Sequence, residues 1–360
     1  MAFLRLLVVI HRIKLERQVE MVEIDDEVLT DRELEDFAER PSFVGAPRCD
    51  DLTKLNADIA VLGVPYRTLD NPLDKRIGAL SPQLQSQIDP SHSTSGPLAA
   101  DTIRQQSLRF AGYLDHYDFD FGGDILAGRA VKIVDCGNIV PSPDKYEEIR
   151  PAATAAVKAI LDRGAVPIIL GGDHATTIPV LRAYENHGPL CVVQIDAHLD
   201  WRDEVDGVRE GLSSPMRRAS EMPWVDSMIQ IGLRGIGSAR QGEVDDARVY
   251  GSVLIRAEEL HEVGVREILR QIPPADAYYL SIDADGLDPS IAPGVPAPMP
   301  GGLTYYETLN LMRGIAEKGK IVGFDYVELV PGLDIGNQTS LFAARIILSL
   351  IGVLAHKGQI

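Results

Sequence analysis

The feature that most constrains this chain is the alternation of short, continuously apolar runs with helical segments. Strands that are buried on both faces have this composition, because neither face needs polar side chains. The alternation predicts a parallel eight-stranded sheet with helices on both faces, in one domain. The predicted strands are Ile59–Val64, Val131–Asp135, Val166–Leu170, Cys191–Ile195, Met228–Ile231, Ser252–Ile255, Tyr278–Ile282 and Ile321–Phe324. The predicted helices are Ala99–Phe110, Ala152–Arg163, Thr176–His187, Thr304–Lys318 and Leu341–Leu354.

Composition excludes several classes of protein. The chain has 360 residues, of which 45% are hydrophobic, enough for a large core, and its formal net charge is −18. An acidic chain repels phosphate backbones, so no nucleic-acid partner is expected. The three cysteines have no close spacing, which excludes a disulfide scaffold and favours a reducing, cytoplasmic location.

The organisation of the chain predicts an N-terminal extension at 1–57 and a single catalytic domain at 58–360. No apolar run is long enough for a membrane span, and the first residues lack a signal-peptide cleavage site. An insertion at about 66–130 interrupts the strand–helix alternation and contains the polar stretch Ser81–Pro97. An insertion of this length is either a functional lid or a surface loop.

Polar clusters follow three of the predicted strands, at the ends where ligands collect in open α/β sheets. GGDH follows the strand at 166–170, DAHLD follows that at 191–195, and DADG follows that at 278–282. Residues two apart on extended chain point to the same side, so each cluster can converge. The candidate metal ligands are His174, Asp196, His198, Asp200, Asp283 and Asp285.

Four carboxylates and two imidazoles at one rim of a sheet need a counter-charge. Two divalent cations would balance the four negative charges. The mixed oxygen and nitrogen donors suit manganese, and also nickel, iron or zinc. Two adjacent cations lower the pKa of a shared water, which supplies a nucleophile near neutral pH.

The motifs GGDH, DAHLD and SIDADGLDPSIAPG, followed by GFDYVELVP, resemble the signatures of the ureohydrolase family, which includes arginase and agmatinase. The resemblance extends from about Asp58 to the C-terminus. It implies a three-layer α/β/α arginase-like fold with an eight-stranded parallel sheet. It also implies a binuclear manganese site and hydrolysis of a guanidinium or related amidine to urea plus an amine.

The resemblance assigns roles to individual residues. The six candidate ligands would hold two Mn²⁺ ions, with Ni²⁺ as the alternative, and Asp196 and Asp283 would bridge them. Asp200 would also hold a metal-bridging hydroxide, by accepting a hydrogen bond from it. Glu328, in GFDYVELVP, matches the family glutamate that binds the guanidinium group, through a charge-assisted contact that orients the reacting carbon.

Two departures from the family pattern concern the substrate loops. Leu212 occupies the position of a family histidine that shuttles a proton to the leaving amine, and loss of a general acid costs about 10²–10⁴-fold in rate. His92 and His116, in the insertion, are the alternative donors. VPAPM, at Val295–Met299, replaces TGTPE of agmatinases, which argues against a strongly cationic tail on the substrate.

Four arginines could form ion pairs, an oligomer interface or a site for a substrate carboxylate, with the structural roles favoured: Arg217, Arg218, Arg234 and Arg240. The leading hypothesis is an agmatinase-like amidinohydrolase with divergent substrate loops. It would act on a small cationic guanidino compound (agmatine, a guanidino acid or guanidine) and form a homo-oligomer, a trimer or hexamer. The alternatives are a formimino or amidine hydrolase that releases no urea, and a weakly active metal-binding partner subunit.

Overall fold

The computed structural model describes residues 41–68, 97–139 and 148–360. Its centre is a sheet of eight strands in the spatial order β4–β1–β5–β10–β9–β6–β7–β8. All neighbouring pairs in this sheet are parallel, which confirms the predicted sheet. Its strands are β1 (Ile59–Val64), β4 (Ile133–Asn138), β5 (Val166–Gly171), β6 (Leu190–Ile195), β7 (Val225–Leu233), β8 (Val253–Arg256), β9 (Ala277–Asp283) and β10 (Lys320–Val327). The short strands β2 (Tyr117–Asp118) and β3 (Gly123–Asp124) form a separate antiparallel hairpin.

Helices cover both faces of the sheet and give three layers. They are α1 (Pro97–Ser107), α2 (Ile149–Asp162), α3 (Thr177–Arg182), α4 (Pro215–Ser220), α5 (Gln241–Tyr250), α6 (Ala257–Val263), α7 (Val265–Gln271), α8 (Tyr305–Lys318) and α9 (Gln338–His356). One apolar core contains residues of α1, α6, α7, α8 and α9, and a second contains residues of α2, α3, α4 and α5. Successive residues of β1 alternate between the two cores, because side chains of a strand point to opposite faces.

Local sequence sets the start of α8, and burial identifies α9 as a core helix. Thr304 caps α8, and its side chain and that of Glu307 exchange hydrogen bonds with each other's backbone N–H groups. The segment Ile335–His356 is long and apolar enough to cross a membrane by length and composition alone. However, 78% of its apolar window is buried inside the protein, as for a core helix.

The helix predicted at Thr176–His187 is shorter than expected. A 3₁₀ turn at His174–Thr176 precedes α3, and α3 ends at Arg182. Beyond it, Ala183 and Tyr184 donate to carbonyls three residues back, which is tighter than α-helical bonding. The remaining predicted helices are present, with ends shifted by a few residues.

Residues 41–57, which the sequence analysis assigned to the extension, contact the first strands of the sheet where they are described. The Phe43 backbone N–H donates to Asp135 Oδ2 at 2.7 Å, and Arg104 of α1 forms an ion pair with the same oxygen at 2.8 Å. Residues 1–40 lie outside the described residues, as do 69–96 of the insertion. The domain boundaries therefore stay a prediction.

Candidate metal centre and substrate cavity

Four adjacent strands at the middle of the sheet position the candidate site. They lie in the order β5, β10, β9, β6, and their carboxyl ends meet at one rim because all are parallel. His174 follows β5, Glu328 follows β10, Asp283 ends β9, and Asp196 follows β6. All four side chains are buried.

The first group of ligands, here called the His174 cluster, comprises His174, Asp196, Asp200 and Asp283. The Nδ1 atom of His174 lies 3.0 Å from Asp196 Oδ2, 2.8 Å from Asp200 Oδ2 and 3.2 Å from Asp283 Oδ2. The His174 side chain is 1% exposed, so the imidazole of this cluster is withdrawn from solvent.

The second group, the His198 cluster, comprises Asp196, His198 and Asp285. The Nδ1 atom of His198 lies 3.4 Å from Asp196 Oδ1 and 3.1 Å from Asp285 Oδ2. Asp196 therefore offers one carboxylate oxygen to each cluster. The structure brings together all six of the predicted ligands.

A buried chain of hydrogen bonds orients His174. Its Nε2 atom lies 2.9 Å from Ser281 Oγ, and the Ser281 hydroxyl donates to Asp325 at 2.6 Å. Asp325 also accepts hydrogen bonds from Tyr279 and Thr177. Because the Ser281 hydrogen points to Asp325, its oxygen accepts from Nε2–H. The Nε2 atom is therefore committed to Ser281, and Nδ1 is the atom that can bind a metal in place of a proton.

A different chain of hydrogen bonds supports Asp196. Its Oδ2 atom accepts from the Gln194 amide at 2.6 Å. Gln194 in turn accepts from Gln230 at 2.6 Å, and the Ser252 hydroxyl donates to Gln230 at 3.0 Å. Neutral amide donors thus hold a ligand carboxylate without adding charge.

Two of the site residues have backbone conformations that side-chain-bearing residues rarely adopt. Asp200 has φ of 52° and Glu328 has φ of 61°, both in the left-handed region. Such strain costs about 1–3 kcal/mol and collects at functional sites. The fold holds both carboxylates in place at the expense of local stability.

Crowding perturbs the acidity of the carboxyl groups. Burial and the neighbouring Asp196 raise the pKa of Asp200 to about 6. Burial and adjacent acids also raise the pKa of Asp283 and of Asp285. Burial alone would raise the pKa of Asp196, but the adjacent imidazoles of His174 and His198 hold it below the ordinary value.

The donor sets fit divalent cations. Within the described chain, the buried Nδ1 atom of His174 makes no hydrogen bond, although three carboxylate oxygens surround it. His174, Asp196 and Asp200 form one potential metal-binding group, and Asp196, His198 and Asp285 form another. Cations at these positions would supply positive charge and lower the pKa of a water between them.

A cavity of about 590 Å³ opens onto both clusters. His198, Asp200, Asp283, Asp285 and Glu328 contribute to its wall. Glu328 Oε1 accepts the His174 backbone N–H at 2.9 Å, so this carboxylate is fixed beside the clusters. Burial and Asp173 raise the pKa of Glu328 well above its ordinary value. A cationic group placed against it would favour its ionised form.

Comparison with known proteins decides the family. The Arginase family profile matches residues 86–352. The chain is 32% identical over 332 residues to proclavaminate amidinohydrolase of Streptomyces clavuligerus, covering 90% of this chain and 96% of that protein. The chain belongs to the arginase family.

Further comparisons agree. Guanidinopropionase of Pseudomonas aeruginosa is 30% identical over 336 residues, covering 90% of this chain and 95% of that enzyme. A solved structure of the Streptomyces clavuligerus proclavaminate amidinohydrolase superposes with a TM-score of 0.70 at 30% identity, covering 88% of this chain and 97% of that chain. The predicted family and the three-layer arginase fold are thereby confirmed. Arginase-family enzymes use a binuclear divalent metal centre, with which the two clusters are consistent.

The departures from the arginase-family pattern lie on the cavity wall. Leu212 lines the cavity, and its backbone N–H donates to Thr68 Oγ1 at 2.9 Å. Pro296 and Met299 of the VPAPM stretch also line it. These side chains make part of the wall apolar, as the substitutions in the sequence predict.

The alternative histidine donors do not reach this cavity where they are described. His116 is exposed and its ring packs edge-on against Tyr113, with ring centroids 5.1 Å apart. His92 lies outside the described residues. His198 is the one imidazole among the described residues that line the cavity.

The four arginines identified from sequence are not among the described residues that line the cavity, and each has structural contacts. Arg217 pairs with Asp246 at 2.8 Å, and Arg218 pairs with Asp203 at 2.7 Å. Arg234 donates to backbone carbonyls, including that of Met299 at 2.8 Å, and Arg240 pairs with Glu243 at 3.4 Å. The structural roles are therefore supported.

Sequence reasoning missed other functional candidates. Arg202 and Glu243 line the cavity and form an ion pair with an N–O distance of 3.1 Å. Ser281 and Asp325 support His174 from within strands. A polar residue inside an otherwise apolar buried strand is a signal that would have found these last two, because such a group needs a partner.

Proposed function

We propose that this chain is a binuclear-metal amidinohydrolase that cleaves a small guanidino compound to urea plus an amine or ammonia. The observation that carries the proposal is the position of Asp196, which offers one oxygen to each of two ligand clusters beside the buried Glu328. A guanidinium carbon is a poor electrophile, so it needs an activated water and a fixed orientation. The site offers residues suited to both.

Each side chain would have a defined role. His174 and Asp200 would bind one cation, His198 and Asp285 the other, and Asp196 and Asp283 would contact both. Glu328 would accept hydrogen bonds from the substrate guanidinium and hold its carbon above the clusters. Asp200, at the cavity wall, would accept a proton from the attacking water.

Manganese is the proposed metal, with nickel as the alternative. Four carboxylates and two imidazoles form a donor set that is richer in oxygen than in nitrogen, and no sulfur donor takes part in the two clusters. Carboxylate and water ligands suit manganese, whereas imidazole also suits nickel.

We also propose a cytoplasmic homo-oligomer, a trimer or hexamer. Three free cysteines suit a reducing compartment. Exposed aromatic side chains near the β2–β3 hairpin, among them Phe119 at 92% exposure, are candidates for subunit contacts. Analytical ultracentrifugation of wild type and Phe119→Ser tests this, and a monomeric wild type contradicts it.

The replacement of the family histidine by Leu212 favours one further candidate, a weakly active metal-binding partner subunit. The complete ligand clusters and the buried Glu328 support the active hydrolase instead, since a partner subunit needs neither.

Urea release tests the proposed function. Purified protein would be loaded separately with Mn²⁺ and Ni²⁺ and incubated with agmatine, arginine, guanidino acids and guanidine. Glu328→Gln should lower kcat/KM about 10²-fold or more, because it removes the charge that holds the guanidinium. Glu221→Gln, at an exposed surface position, is the control. No urea from any compound, with two metals bound per chain, would contradict the proposal.

A further inference from the structure

Arg202 is a cation on the wall of a cavity whose charged residues are mostly acidic. It follows Asp200 by two residues and lines the same cavity as Glu328. Its side chain is 26% exposed, so most of it is withdrawn from solvent. Its backbone N–H donates to the Ser213 carbonyl at 2.9 Å, which fixes the start of the side chain relative to the neighbouring loop.

Glu243 holds the Arg202 side chain at one nitrogen. Glu243 Oε1 lies 3.1 Å from Arg202 Nε. The other Glu243 oxygen accepts the Arg240 backbone N–H at 2.7 Å, at the start of α5. Both oxygens of Glu243 are therefore engaged, and this carboxylate positions the Arg202 side chain.

The terminal nitrogens of Arg202 are left for a ligand. An arginine side chain has five N–H donors, and its terminal pair matches a carboxylate in a two-pronged contact. Among the residues that the structure describes, Glu243 is the acidic partner of Arg202, and it contacts Nε. The two-pronged end thus has no partner in the described protein.

The cavity wall carries charges of both signs and an apolar part. Glu328 and the ligand acids form one part, Arg202 forms another, and Leu212, Ile236 and Pro298 contribute apolar surface. A molecule with a guanidinium group, a short methylene chain and a carboxylate has groups that complement each of these three parts of the wall. A second cation, such as the amine of agmatine, would meet the like charge of Arg202.

We propose that Arg202 binds the carboxylate of the substrate, so that the substrates are ω-guanidino acids. This inference rests on the proposed function, because it assumes that the guanidinium group reaches Glu328. Arg202 then selects among guanidino compounds and takes no part in the chemical step.

The test compares three compounds that share a guanidinium group. They are 4-guanidinobutyrate, propylguanidine (the same molecule without its carboxylate) and agmatine, with guanidinoacetate and 3-guanidinopropionate added to set the chain length. Wild-type enzyme should favour a guanidino acid over propylguanidine and agmatine by about 10- to 100-fold in kcat/KM, as expected for a charge-assisted contact.

Substitution of Arg202 should raise KM, and it should do so only for substrates that carry a carboxylate. Arg202→Gln should raise KM for the preferred acid about 10- to 100-fold, with kcat nearly unchanged and propylguanidine unaffected. Arg202→Lys should recover part of the affinity. Arg217→Gln is the matched control, because Arg217 is 28% exposed and pairs with Asp246 outside the cavity.

The experiment distinguishes failure of the proposed role of Arg202 from failure of the proposed function. Urea from propylguanidine or agmatine at least as fast as from every acid, or an equal effect of Arg202→Gln on acid and neutral compounds, overturns the role of Arg202 and leaves the proposed function standing. No urea from any compound overturns the proposed function. Calorimetric binding of 4-guanidinobutyrate to the metal-loaded protein then tests Arg202 alone, and equal affinity in wild type and Arg202→Gln overturns it.

Discussion

Two different hydrogen-bond chains support the ligands His174 and Asp196. The chain from His174 ends at a carboxylate, whereas the chain from Asp196 consists of side-chain amides. His174 donates to Ser281, whose hydroxyl donates to Asp325. Asp196 instead accepts from Gln194. Each chain suits its ligand. The imidazole donates its Nε2–H to a hydrogen-bond acceptor, and the carboxylate accepts a hydrogen bond from a donor.

The two clusters also differ in access. The His174 side chain is 1% exposed and the His198 side chain is 24% exposed. A cation in the His174 cluster would be enclosed by buried carboxylates, and one in the His198 cluster would be open to the cavity. The comparison teaches that the two clusters differ in their histidine, because His198 lines the cavity whereas His174 is held behind it by buried groups.

The largest effect is expected at Asp200, which belongs to the His174 cluster and also lines the cavity. Asp200→Asn should lower the rate of urea release about 10²–10⁴-fold, because the amide cannot accept the proton of the attacking water. Steady-state assay of the metal-loaded variant measures this. Asp203→Asn, three positions on and 54% exposed, is the control. A normal rate in Asp200→Asn would remove Asp200 from the proposed chemistry.

The next effect is on pH dependence of stability in the metal-free protein. Burial first, then Asp196, raises the pKa of Asp200 from 3.8 to about 6, so the folded protein holds this proton more tightly than the unfolded chain. That stabilisation is complete below pH 4 and is lost as the pH rises through about 6, which amounts to about 3 kcal/mol.

His198 acts in the same direction at higher pH. Burial would lower its pKa, but Asp196 and Asp285 raise it from 6.5 to about 12. Thermal unfolding of chelator-treated protein should therefore show a Tm that falls between pH 4 and 8. Metal-loaded protein should lose stability toward low pH instead, because cations need deprotonated ligands. The same slope in both forms would contradict metal binding at these groups.

A smaller effect separates the two supports. Ser281→Ala removes the acceptor for His174 Nε2–H and should weaken one of two metal-binding steps about 10- to 100-fold. Titration with Mn²⁺ against a competing chelator resolves the steps. Ser349→Ala is the matched control, since Ser349 is equally buried and contacts Tyr305 instead. Equal weakening by both substitutions would show that loss of stability, and not His174 orientation, is responsible.

The smallest effect is expected from the amide chain. Gln194→Leu removes one neutral donor to Asp196 and should weaken metal binding about 10-fold. Because Asp196 contributes to both clusters, both binding steps should shift together in the same chelator titration. A shift confined to one step would show that Asp196 is not shared.

The sequence predicted much of the fold and all of the clustered ligands, because both depend on short stretches of neighbouring residues. In a parallel sheet the residues that follow adjacent strands meet at one rim, so His174, Asp196 and Asp283 could be placed from the strand runs before them. Glu328 could be placed in the same way, directly after β10. The roles of these residues in binding and catalysis stay predictions that the experiments above address.

The supports and the cavity wall could not be predicted in this way. Gln194 and Gln230 lie in strands that read as apolar, and their contact depends on the register in which β6 and β7 pair. Arg202 and Glu243 are distant in sequence and come into contact only in the folded chain. Long-range pairs of this kind leave no periodic pattern in the sequence.

By itself the sequence determined the strands, several of the helices and the carboxylates and imidazoles at the strand ends, because burial patterns and short motifs act over a few residues. Tertiary structure alone decided which strands are neighbours, and therefore that Asp196 offers one oxygen to each cluster. It also holds Asp200 and Glu328 in left-handed backbone conformations. The physical reason is that packing of the whole sheet can outweigh the local preferences of single residues by the few kcal/mol that such conformations cost.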